Sequence, residues 1–480
     1  MTEYETVIGL ECHVELSTAT KMFCGCLNVF GAPPNTNVCP VCLGHPGSLP
    51  VANKRAVEYT MKIALALDSD VTSHSLFHRK NYFYPDMPKN YQISQYDLPI
   101  GAGGHLDVEV NGDVRRVGMN RVHLEEDTGK TLHAGATGRI AGAEYALEDF
   151  NRAGVPLVEV VSEPDIRSPE EAAAYLRELR NLLQALGVSD VRMEEGSLRC
   201  DANISIRPVG HPEYGTKVEI KNMNSIRSVE RALRYEVGRQ VAALEKRETL
   251  IQETRHWDEG RGSTSTLRSK EEAFDYRYFP DPDLVPLEPD ADWIERIRGE
   301  LPELPAARRR RFEQDYGLEP DTARLVGSTE WAPFYEEAVG LGADPKAVAN
   351  WMAGDLAGLL NEARIPLAES KVTPRHLADL ARLLGDETIS TAGAKQVLAE
   401  AFASGAPAEQ VVAEKGLAQI SDASALGAIV EEVIAENPGP VEQFRGGKEG
   451  VIGFLVGAVM KKSRGAANPQ EAQRLLRERL

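Results

Sequence analysis

Four short segments of the chain alternate between apolar and polar side chains. In the first, one side of an extended chain carries Leu10, Cys12, Val14 and Leu16, and the other side carries Glu11, His13 and Glu15. The same alternation recurs in segments 121–127, 198–207 and 217–221. A period of two residues predicts β-strands with one buried face and one polar face. We therefore expect the first part of the chain to be rich in β-structure.

Helical periodicity interrupts this region and dominates the rest of the chain. Ser168 and Pro169 predict an N-cap and a first helical turn, and Gly187 predicts where this helix ends. After residue 290 the sequence is rich in Ala, Leu, Glu and Arg at helical spacing, as in the helix predicted to follow Thr373. A Ser-Gly-Ala-Pro sequence at 404–407 predicts a break within this helical part.

Together these patterns predict an α+β fold in three domains. A β-rich domain with interspersed helices occupies residues 1–290, an all-α helical domain occupies 291–405, and a small α-helical tail domain occupies 406–480. A chain of 480 residues is long enough for two or three domains of about 100 to 200 residues. Each domain can therefore bury a core of its own.

The charge balance restricts which partners the chain can have. There are 54 Lys and Arg against 73 Asp and Glu, a net charge of −19, which argues against a protein that coats nucleic acid with a basic surface. Any RNA contact must be local, and the basic stretches 308–311 and 461–464 are candidates, although a solvated charged face explains each equally well. The acidic N-terminus and the lack of an apolar run of about 18 residues predict a cytoplasmic protein without a membrane segment.

Four of the six cysteines are closely spaced in the sequence. Cys24 and Cys26 form C-x-C, and Cys39 and Cys42 form C-x-x-C, across a short loop. Four thiolates at these spacings can complete a tetrahedral shell, whose usual occupant is zinc. Because such a shell leaves no position open for a substrate, we expect a structural zinc site. The alternative is four reduced and merely buried cysteines.

The polar faces of the predicted strands are rich in groups that bind cations and phosphates. They carry Glu, His, Asp, Asn, Lys and Arg, and same-face neighbours along one strand lie about 7 Å apart. Carboxylates suit Mg²⁺, and Lys and Arg complement phosphate charge. Alternation alone favours the simpler interpretation of a solvated face. Such a face, however, is usually richer in Thr, Ser and Lys than in His with Glu.

Familiar nucleotide and nucleophile motifs are missing. Gly129-Lys130-Thr131 resembles the end of a P-loop, but Leu124 stands where the required glycine would be. Cys12 and Cys200 fall on the apolar faces, which predicts core residues rather than nucleophiles. The sequence therefore shows no convincing cysteine nucleophile of its own.

Seven motifs resemble those of the B subunit of aspartyl/glutamyl-tRNA amidotransferases. They are IGLECHV at 8–14, VCPVCLGHPG at 38–47, RKNYFYPD at 79–86, YQISQ at 91–95, HLEED at 123–127, DFNRAGVPL at 149–157 and DYRYFP at 275–280. The resemblance spans essentially the whole chain and is most specific in the first 290 residues. It implies a cradle-shaped first domain, and a heterotrimer in which the other two chains are an amidase, the A subunit, and the small C subunit.

The resemblance also implies an activity. In that family the B subunit uses ATP and Mg²⁺ to phosphorylate the side-chain carboxylate of Glu-tRNA(Gln) and/or Asp-tRNA(Asn). Ammonia from the amidase then gives Gln-tRNA(Gln) or Asn-tRNA(Asn). Two alternatives stay open from the residues: a zinc-stabilised RNA-binding adaptor without catalysis, and a free-standing ATP-dependent carboxylate-amine ligase.

Matching the family motifs residue by residue implies a set of site residues. The implied catalytic and magnesium-binding residues are Glu11, His13, Glu126, Asp201 and Glu219, with Glu125 as the near competitor of Glu126 because it shares the polar face with His123. The implied phosphate or acceptor-end contacts are Lys80, Tyr82, Lys221 and Asn222. The implied contacts to the tRNA body are Lys461, Lys462 and Arg464.

Overall fold

The computed structural model describes residues 3–134, 143–269, 275–419, 423–463 and 466–480. It divides into two compact units, Met1–Leu304 and Pro305–Leu480. The first unit combines a large sheet with helices, and the second is helical, so the predicted α+β class is confirmed. Among the described helices, none is both long and apolar enough to cross a lipid bilayer.

The strands that the structure describes all lie in the first unit. They are β1 (Tyr4–Glu15), β2 (Asp70–Val71), β3 (His78–Asn81), β4 (Tyr91–Ser94), β5 (Gly101–Ala102), β6 (His105–Val110), β7 (Asp113–Glu126), β8 (Lys130–Ala134), β9 (Tyr145–Asp149), β10 (Pro156–Ser162), β11 (Leu198–Pro208), β12 (Val218–Met223), β13 (Glu253–Asp258), β14 (Ser263–Ser269) and β15 (Phe279–Pro280).

Ten of these strands form one large sheet in the order β14-β13-β12-β11-β1-β10-β7-β5-β2, with β6 also paired to β7. Every described pairing in it is antiparallel except that of β12 with β13. Two smaller sheets hold β15-β3-β4 and β8-β9. The four segments with alternating polarity therefore belong to strands of one sheet.

Four helices accompany the sheet within the described residues of the first unit: α1 (Lys54–Ala66), α2 (Pro169–Leu186), α3 (Ile226–Glu245) and α4 (Ala291–Gly299). As predicted, α2 begins after the N-cap Ser168, whose side chain accepts from the backbone N–H of Glu171, and it ends at Gly187 in the left-handed conformation. The apolar sides of the strands and of these helices share one buried core.

The alternation in the sequence sorts the side chains as expected. On β1, Leu10, Cys12 and Val14 are fully buried in the core. Cys200 on β11 is likewise buried, so the prediction that Cys12 and Cys200 are core residues is confirmed. With the apolar side chains facing the helices, the polar side chains of the same strands share the opposite face of the sheet.

The described part of the second unit contains the remaining helices and two apolar cores. Its helices are α5 (Pro305–Tyr316), α6 (Pro320–Val326), α7 (Ala332–Gly340), α8 (Pro345–Trp351), α9 (Ala357–Ala363), α10 (Pro374–Gly385), α11 (Thr391–Ser404), α12 (Ala408–Lys415), α13 (Ala423–Glu436), α14 (Pro438–Arg445), α15 (Ile452–Lys462) and α16 (Pro469–Arg479), with a π-helical turn at Met352–Leu356 and short 3-10 turns at Leu367–Glu369 and Glu449–Val451. One core extends from Phe312 to Val412 and the other from Leu426 to Leu476. Helix α12 thus packs in the earlier core, whereas the sequence prediction placed it in the tail.

A polar sheet face as the candidate active site

The register of the large sheet aligns polar side chains across four strands. His13 on β1 pairs with Arg199 on β11 and with Glu159 on β10, and Glu159 pairs with His123 on β7. Residues directly opposite on antiparallel strands have Cβ atoms about 5 Å apart. The polar face therefore carries a continuous row of four charged or titratable side chains.

Three side chains in and beside this row converge into one cluster. His13, Glu125 and Glu159 each offer a ligand atom, and these atoms lie within 4.8 Å of one another. Nε2 of His13 is 3.9 Å from Oε1 of Glu125 and 3.9 Å from Oε2 of Glu159. Two carboxylates and an imidazole form a donor set that suits a divalent cation. We call these three residues the cation cluster.

A second histidine orients the carboxylates of the cation cluster. Nε2 of His123 lies 3.0 Å from Glu159 and 3.8 Å from Glu125. Burial lowers the pKa of His123, but the two carboxylates outweigh this effect and raise it to about 9. In return, His123 lowers the pKa of both Glu159 and Glu125 against the effect of their burial. Both carboxylates are therefore ionised at neutral pH, the form that binds a metal.

Three of the predicted acidic residues lie on the same face beside the cation cluster. Glu11 pairs with Asp201 across β1 and β11, and Nδ2 of Asn203 donates to Glu11 at 2.8 Å. Lys221 forms ion pairs with Asp201 and, at 3.0 Å, with Glu219. Burial lowers the pKa of Lys221, but these carboxylates raise it above its usual range. The structure therefore places a compact set of paired charges next to the cluster.

The two adjacent glutamates at the end of β7 have different surroundings. Glu125 belongs to the cation cluster and accepts a hydrogen bond from Ser94 at 3.1 Å. Glu126 instead accepts from the backbone N–H of Ile93 at 2.9 Å and from Lys89. Glu126 also lines a cavity shared with the cysteine loop. The structure thus brings Glu125 to His13 and leaves Glu126 outside the cluster.

The structure places some of the predicted phosphate contacts beside the cation cluster and others away from it. Nζ of Lys80 lies 5.0 Å from the ring centroid of Tyr276. Burial lowers the pKa of Lys80, but nearby Glu125 and two tyrosines raise it above its usual value. Lys80 therefore stays charged beside the cluster. Tyr82 lies next to Tyr276, with ring centroids 6.3 Å apart. Asn222 adopts a left-handed φ of 70° and donates to the backbone carbonyl of Trp257. Asn222 is therefore held by β13 rather than by the cluster.

Glu159 is the functional candidate that sequence reasoning missed. It lies in β10, whose sequence PLVEVVS is almost entirely apolar. Such a strand shows no alternation, so its single glutamate gives little sign of which face it occupies. A lone carboxylate between valines at positions 158 and 160 was the available signal. Only the pairing of β10 with both β1 and β7 reveals its neighbours.

The four predicted zinc ligands come together in the loop between β1 and α1. The sulfur atoms of Cys24, Cys26, Cys39 and Cys42 all lie within 4.8 Å of one another. Hydrogen bonding from Cys24, together with the nearby backbone of Cys39 and Lys21, lowers the pKa of Cys42 to about 5 despite burial. Four converging thiols with one thiolate readily formed are compatible with zinc.

The predicted RNA contacts of the tail lie at the end of α15. Lys461 is exposed, and Lys462 forms ion pairs with Glu432 and Glu436 at 2.8 and 2.5 Å. Arg464 lies outside the described residues. The helix therefore presents Lys461 to solvent while Lys462 is partly neutralised.

Comparison with known proteins assigns both units to one family. Residues 6–295 match the GatB/GatE catalytic domain, and residues 333–480 match the GatB domain. The chain is 54% identical to the B subunit of the aspartyl/glutamyl-tRNA(Asn/Gln) amidotransferase of Carboxydothermus hydrogenoformans, over 100% of this chain and 99% of that protein. It is 56% identical to the protein of the same name from Moorella thermoacetica, over 100% of both chains.

The fold and the site define a protein that presents a cluster of metal-binding and phosphate-complementing groups on one face of a largely antiparallel sheet. The chain belongs to the family of tRNA-dependent amidotransferase B subunits, which makes it an enzyme subunit of the ligase class. The resemblance inferred from the sequence motifs is thereby confirmed. As a B subunit, it is part of a multi-subunit enzyme.

Proposed function

We propose that this chain uses ATP to phosphorylate the side-chain carboxylate of Glu-tRNA(Gln) and/or Asp-tRNA(Asn). Ammonia then replaces the phosphate and gives Gln-tRNA(Gln) or Asn-tRNA(Asn). The observation that carries the proposal is the convergence of His13, Glu125 and Glu159 beside basic side chains on one sheet face. A free carboxylate resists attack by ammonia because its oxygen is a poor leaving group, so activation must come first.

The reaction has two group transfers. A carboxylate oxygen of the charged tRNA attacks the γ-phosphorus of ATP, the bond to the β,γ-bridging oxygen breaks, and ADP leaves with the electron pair. The nitrogen of ammonia then attacks the acyl carbon, the carbon–oxygen bond to the phosphate breaks, and inorganic phosphate leaves. The nitrogen finally loses a proton to solvent. Both steps depend mainly on positioning and on neutralising charge.

The residues of the polar face have separate tasks in this scheme. His13, Glu125 and Glu159 suit Mg²⁺, which when bound offsets phosphate charge and orients the transferred group. Lys80 and Lys221 supply positive charge for phosphate oxygens. Asp201 and Glu219 hold Lys221 by ion pairs, and Glu11, the strand partner of Asp201, shapes the surface beside the cluster. Tyr82 follows directly after β3 and lies next to Tyr276, the ring that Lys80 also contacts.

Zinc at Cys24, Cys26, Cys39 and Cys42 has a structural task. Four sulfur ligands fill a tetrahedral shell and leave no open position for a substrate. Zinc held by these four thiols would connect the two ends of the loop 24–42, which lines a cavity together with Glu126. We assign it to holding that loop in place.

The partners are the amidase, or A subunit, which releases ammonia from glutamine, and the small C subunit. The three chains form a cytoplasmic heterotrimer that serves protein synthesis. Support comes from the names of the relatives, which are B subunits of amidotransferases. Lys461 and Lys462 of the tail domain, with Arg464, contact the tRNA body. The full-length family match does not favour an adaptor without catalysis or a free-standing ligase.

The proposed function is tested with the assembled enzyme, ATP, Mg²⁺ and Glu-tRNA(Gln) or Asp-tRNA(Asn). We expect ADP release that requires the charged tRNA, and amidated tRNA when glutamine is also present. Uncharged tRNA and free glutamate serve as controls. ADP release with free glutamate alone would support the small-molecule ligase, and no release under any condition would support the adaptor; either result contradicts the proposal.

A further inference from the structure

Arg199 occupies a position in the polar row but has no task in the proposed reaction. It pairs with His13 across β11 and β1, and Nη2 of its guanidinium donates to Asp127. Asp127 stands two residues beyond Glu125 in the sequence. Arg199 therefore lies opposite His13 of the cation cluster, and its guanidinium reaches Asp127, which follows Glu125 of the cluster by two residues.

The guanidinium of Arg199 is anchored but not satisfied. Its Nε is buried and finds no hydrogen-bond partner among the residues that the structure describes. A buried polar group without a partner is uncommon and costs free energy, more so when the group is charged. The side chain as a whole is 36% exposed, so a ligand can reach it. Because Nε itself is buried, an acceptor from outside the protein would approach the exposed part of the Arg199 side chain beside the cation cluster.

Asp127 is built to hold that guanidinium in one orientation. Its carboxylate is 3% exposed, and Oδ1 accepts from the backbone N–H of Thr128 at 2.8 Å. Oδ2, which accepts from Arg199, also lies 3.6 Å from Nε of Arg152. Arg152 is fixed in turn by hydrogen bonds to the carbonyls of Thr128 and Gly129. Asp127 is thus a rigid anchor, held by groups that lie outside the cation cluster.

The free N–H groups of an anchored arginine fit a tetrahedral oxyanion. The planar guanidinium presents parallel N–H donors that match phosphate oxygens, whereas an ammonium offers a single point charge. Removing a donor that stabilises charge in a transition state commonly lowers kcat by about 100- to 1000-fold. Such a donor next to the cation cluster is placed where phosphate charge would need to be neutralised.

We propose that Arg199 binds the transferred γ-phosphoryl group through its guanidinium, and that Asp127 is the positioning residue that holds it there. The proposal rests on the proposed function and adds a catalytic residue to it. Arg199 donates hydrogen bonds to the phosphoryl oxygens while the bond to ADP breaks and the bond to the carboxylate forms. No proton is transferred to or from Arg199, which stays charged throughout.

Arg207 provides a matched control for the test. It lies on the same strand as Arg199, eight residues further on and on the same face, and its Nε donates to Glu5 at 2.6 Å. Eight residues of strand separate the two positions by about 26 Å. Both arginines therefore sit in a carboxylate ion pair on β11, but only Arg199 lies beside the cation cluster.

The experiment measures charged-tRNA-dependent ADP release by the assembled enzyme. We expect Arg199→Ala to lower kcat by about 100- to 1000-fold, Arg207→Ala to leave it at the wild-type value, and millimolar guanidinium to restore activity to Arg199→Ala. Equal kcat in Arg199→Ala and Arg207→Ala, or a lowered kcat that guanidinium does not restore in a folded variant, would overturn the proposal.

A second variant covers a failure of Arg199→Ala to fold. Arg199→Lys keeps the positive charge and the ion pair with Asp127, so it should fold and bind cations as the wild type does. We expect it to lower kcat by about tenfold or more, because an ammonium cannot replace the guanidinium fork. Wild-type kcat in Arg199→Lys would overturn the proposal. Lack of charged-tRNA-dependent ADP release by the wild-type enzyme would instead contradict the proposed function itself.

Discussion

Nε2 of His123 lies 3.0 Å from Oε2 of Glu159, and this contact joins β7 to β10 beside the cation cluster. The same imidazole reaches Glu125 at 3.8 Å, so one histidine contacts both carboxylates that also lie near His13. His123 is 3% exposed and therefore has little freedom to reorient. It holds the two carboxylates in the arrangement in which they meet His13.

Replacing His123 tests this arrangement directly. His123→Ala removes the group that orients Glu125 and Glu159, and loss of such a supporting contact commonly weakens metal affinity by about 10- to 100-fold. We therefore expect the Mg²⁺ concentration for half-maximal ADP release to rise by that factor. His105→Ala is the control, because His105 lies on β6 and pairs with Asp68 at 3.6 Å. An unchanged Mg²⁺ requirement in His123→Ala would show that Glu125 and Glu159 need no such support.

The different surroundings of Glu125 and Glu126 predict different effects of the same substitution. Glu126→Gln leaves the buried Lys89 without a charged partner, which commonly costs about 3 to 5 kcal/mol of stability. We expect denaturant unfolding to show this loss, with the Mg²⁺ requirement of ADP release unchanged. Glu125→Gln should instead raise the Mg²⁺ requirement. A raised Mg²⁺ requirement in Glu126→Gln would mean that the cluster contains Glu126 after all.

The cysteine cluster predicts one zinc ion for each chain. Elemental analysis of the purified enzyme should find it, and Cys39→Ser should lose it. Cys200→Ala should keep its zinc, because Cys200 is a core residue on β11. A ligand at about 1000 times its Kd stabilises a fold by about 4 kcal/mol, so chelation should lower the melting temperature, and zinc but not Mg²⁺ should restore it. Wild-type enzyme without zinc would contradict the structural assignment.

The end of α15 predicts a modest electrostatic contribution to tRNA binding. Removing one phosphate contact reduces the slope of log affinity against log salt by about one unit. We expect this change for Lys461→Ala and a smaller one for Lys462→Ala, because Lys462 already pairs with Glu432 and Glu436. Lys395→Ala is the control, since Lys395 pairs with Asp355 at 2.9 Å. Filter binding of charged tRNA over a range of salt concentrations measures the slopes. Equal slopes for Lys461→Ala and Lys395→Ala would contradict a tRNA contact at this end of α15.

Local chemistry made the elements predictable. Helix α2 begins after the N-cap Ser168 and ends at Gly187. Helix α10 begins at Pro374, after the N-cap Thr373. Both follow the side-chain and backbone preferences of these residues. Alternation on β1 and β11 separated core residues from polar ones, including Cys12 and Cys200. These features depend on a few consecutive residues, so they can be predicted from the sequence alone.

The composition of the cation cluster depends on strand pairing, which local patterns do not contain. His13 and Glu125 stand in alternating segments, which makes them candidates, but Glu159 lies in an apolar strand that gives no such sign. Alternation along β7 places Glu125 on the same face as His123, but only the pairing of β7 with β10 and of β10 with β1 brings it to Glu159 and His13. The contact between Arg199 and Asp127 joins residues 72 positions apart and could be seen only in the folded chain.

The most direct test of the central claim is the position of a bound cation. Crystals of the assembled enzyme with Mn²⁺ in place of Mg²⁺ and a non-hydrolysable ATP analogue should show an anomalous peak. We predict a peak within coordination distance of Nε2 of His13 and the carboxylates of Glu125 and Glu159, with the γ-phosphate beside it. A manganese peak held by other residues, or a nucleotide bound on another surface, would contradict the account.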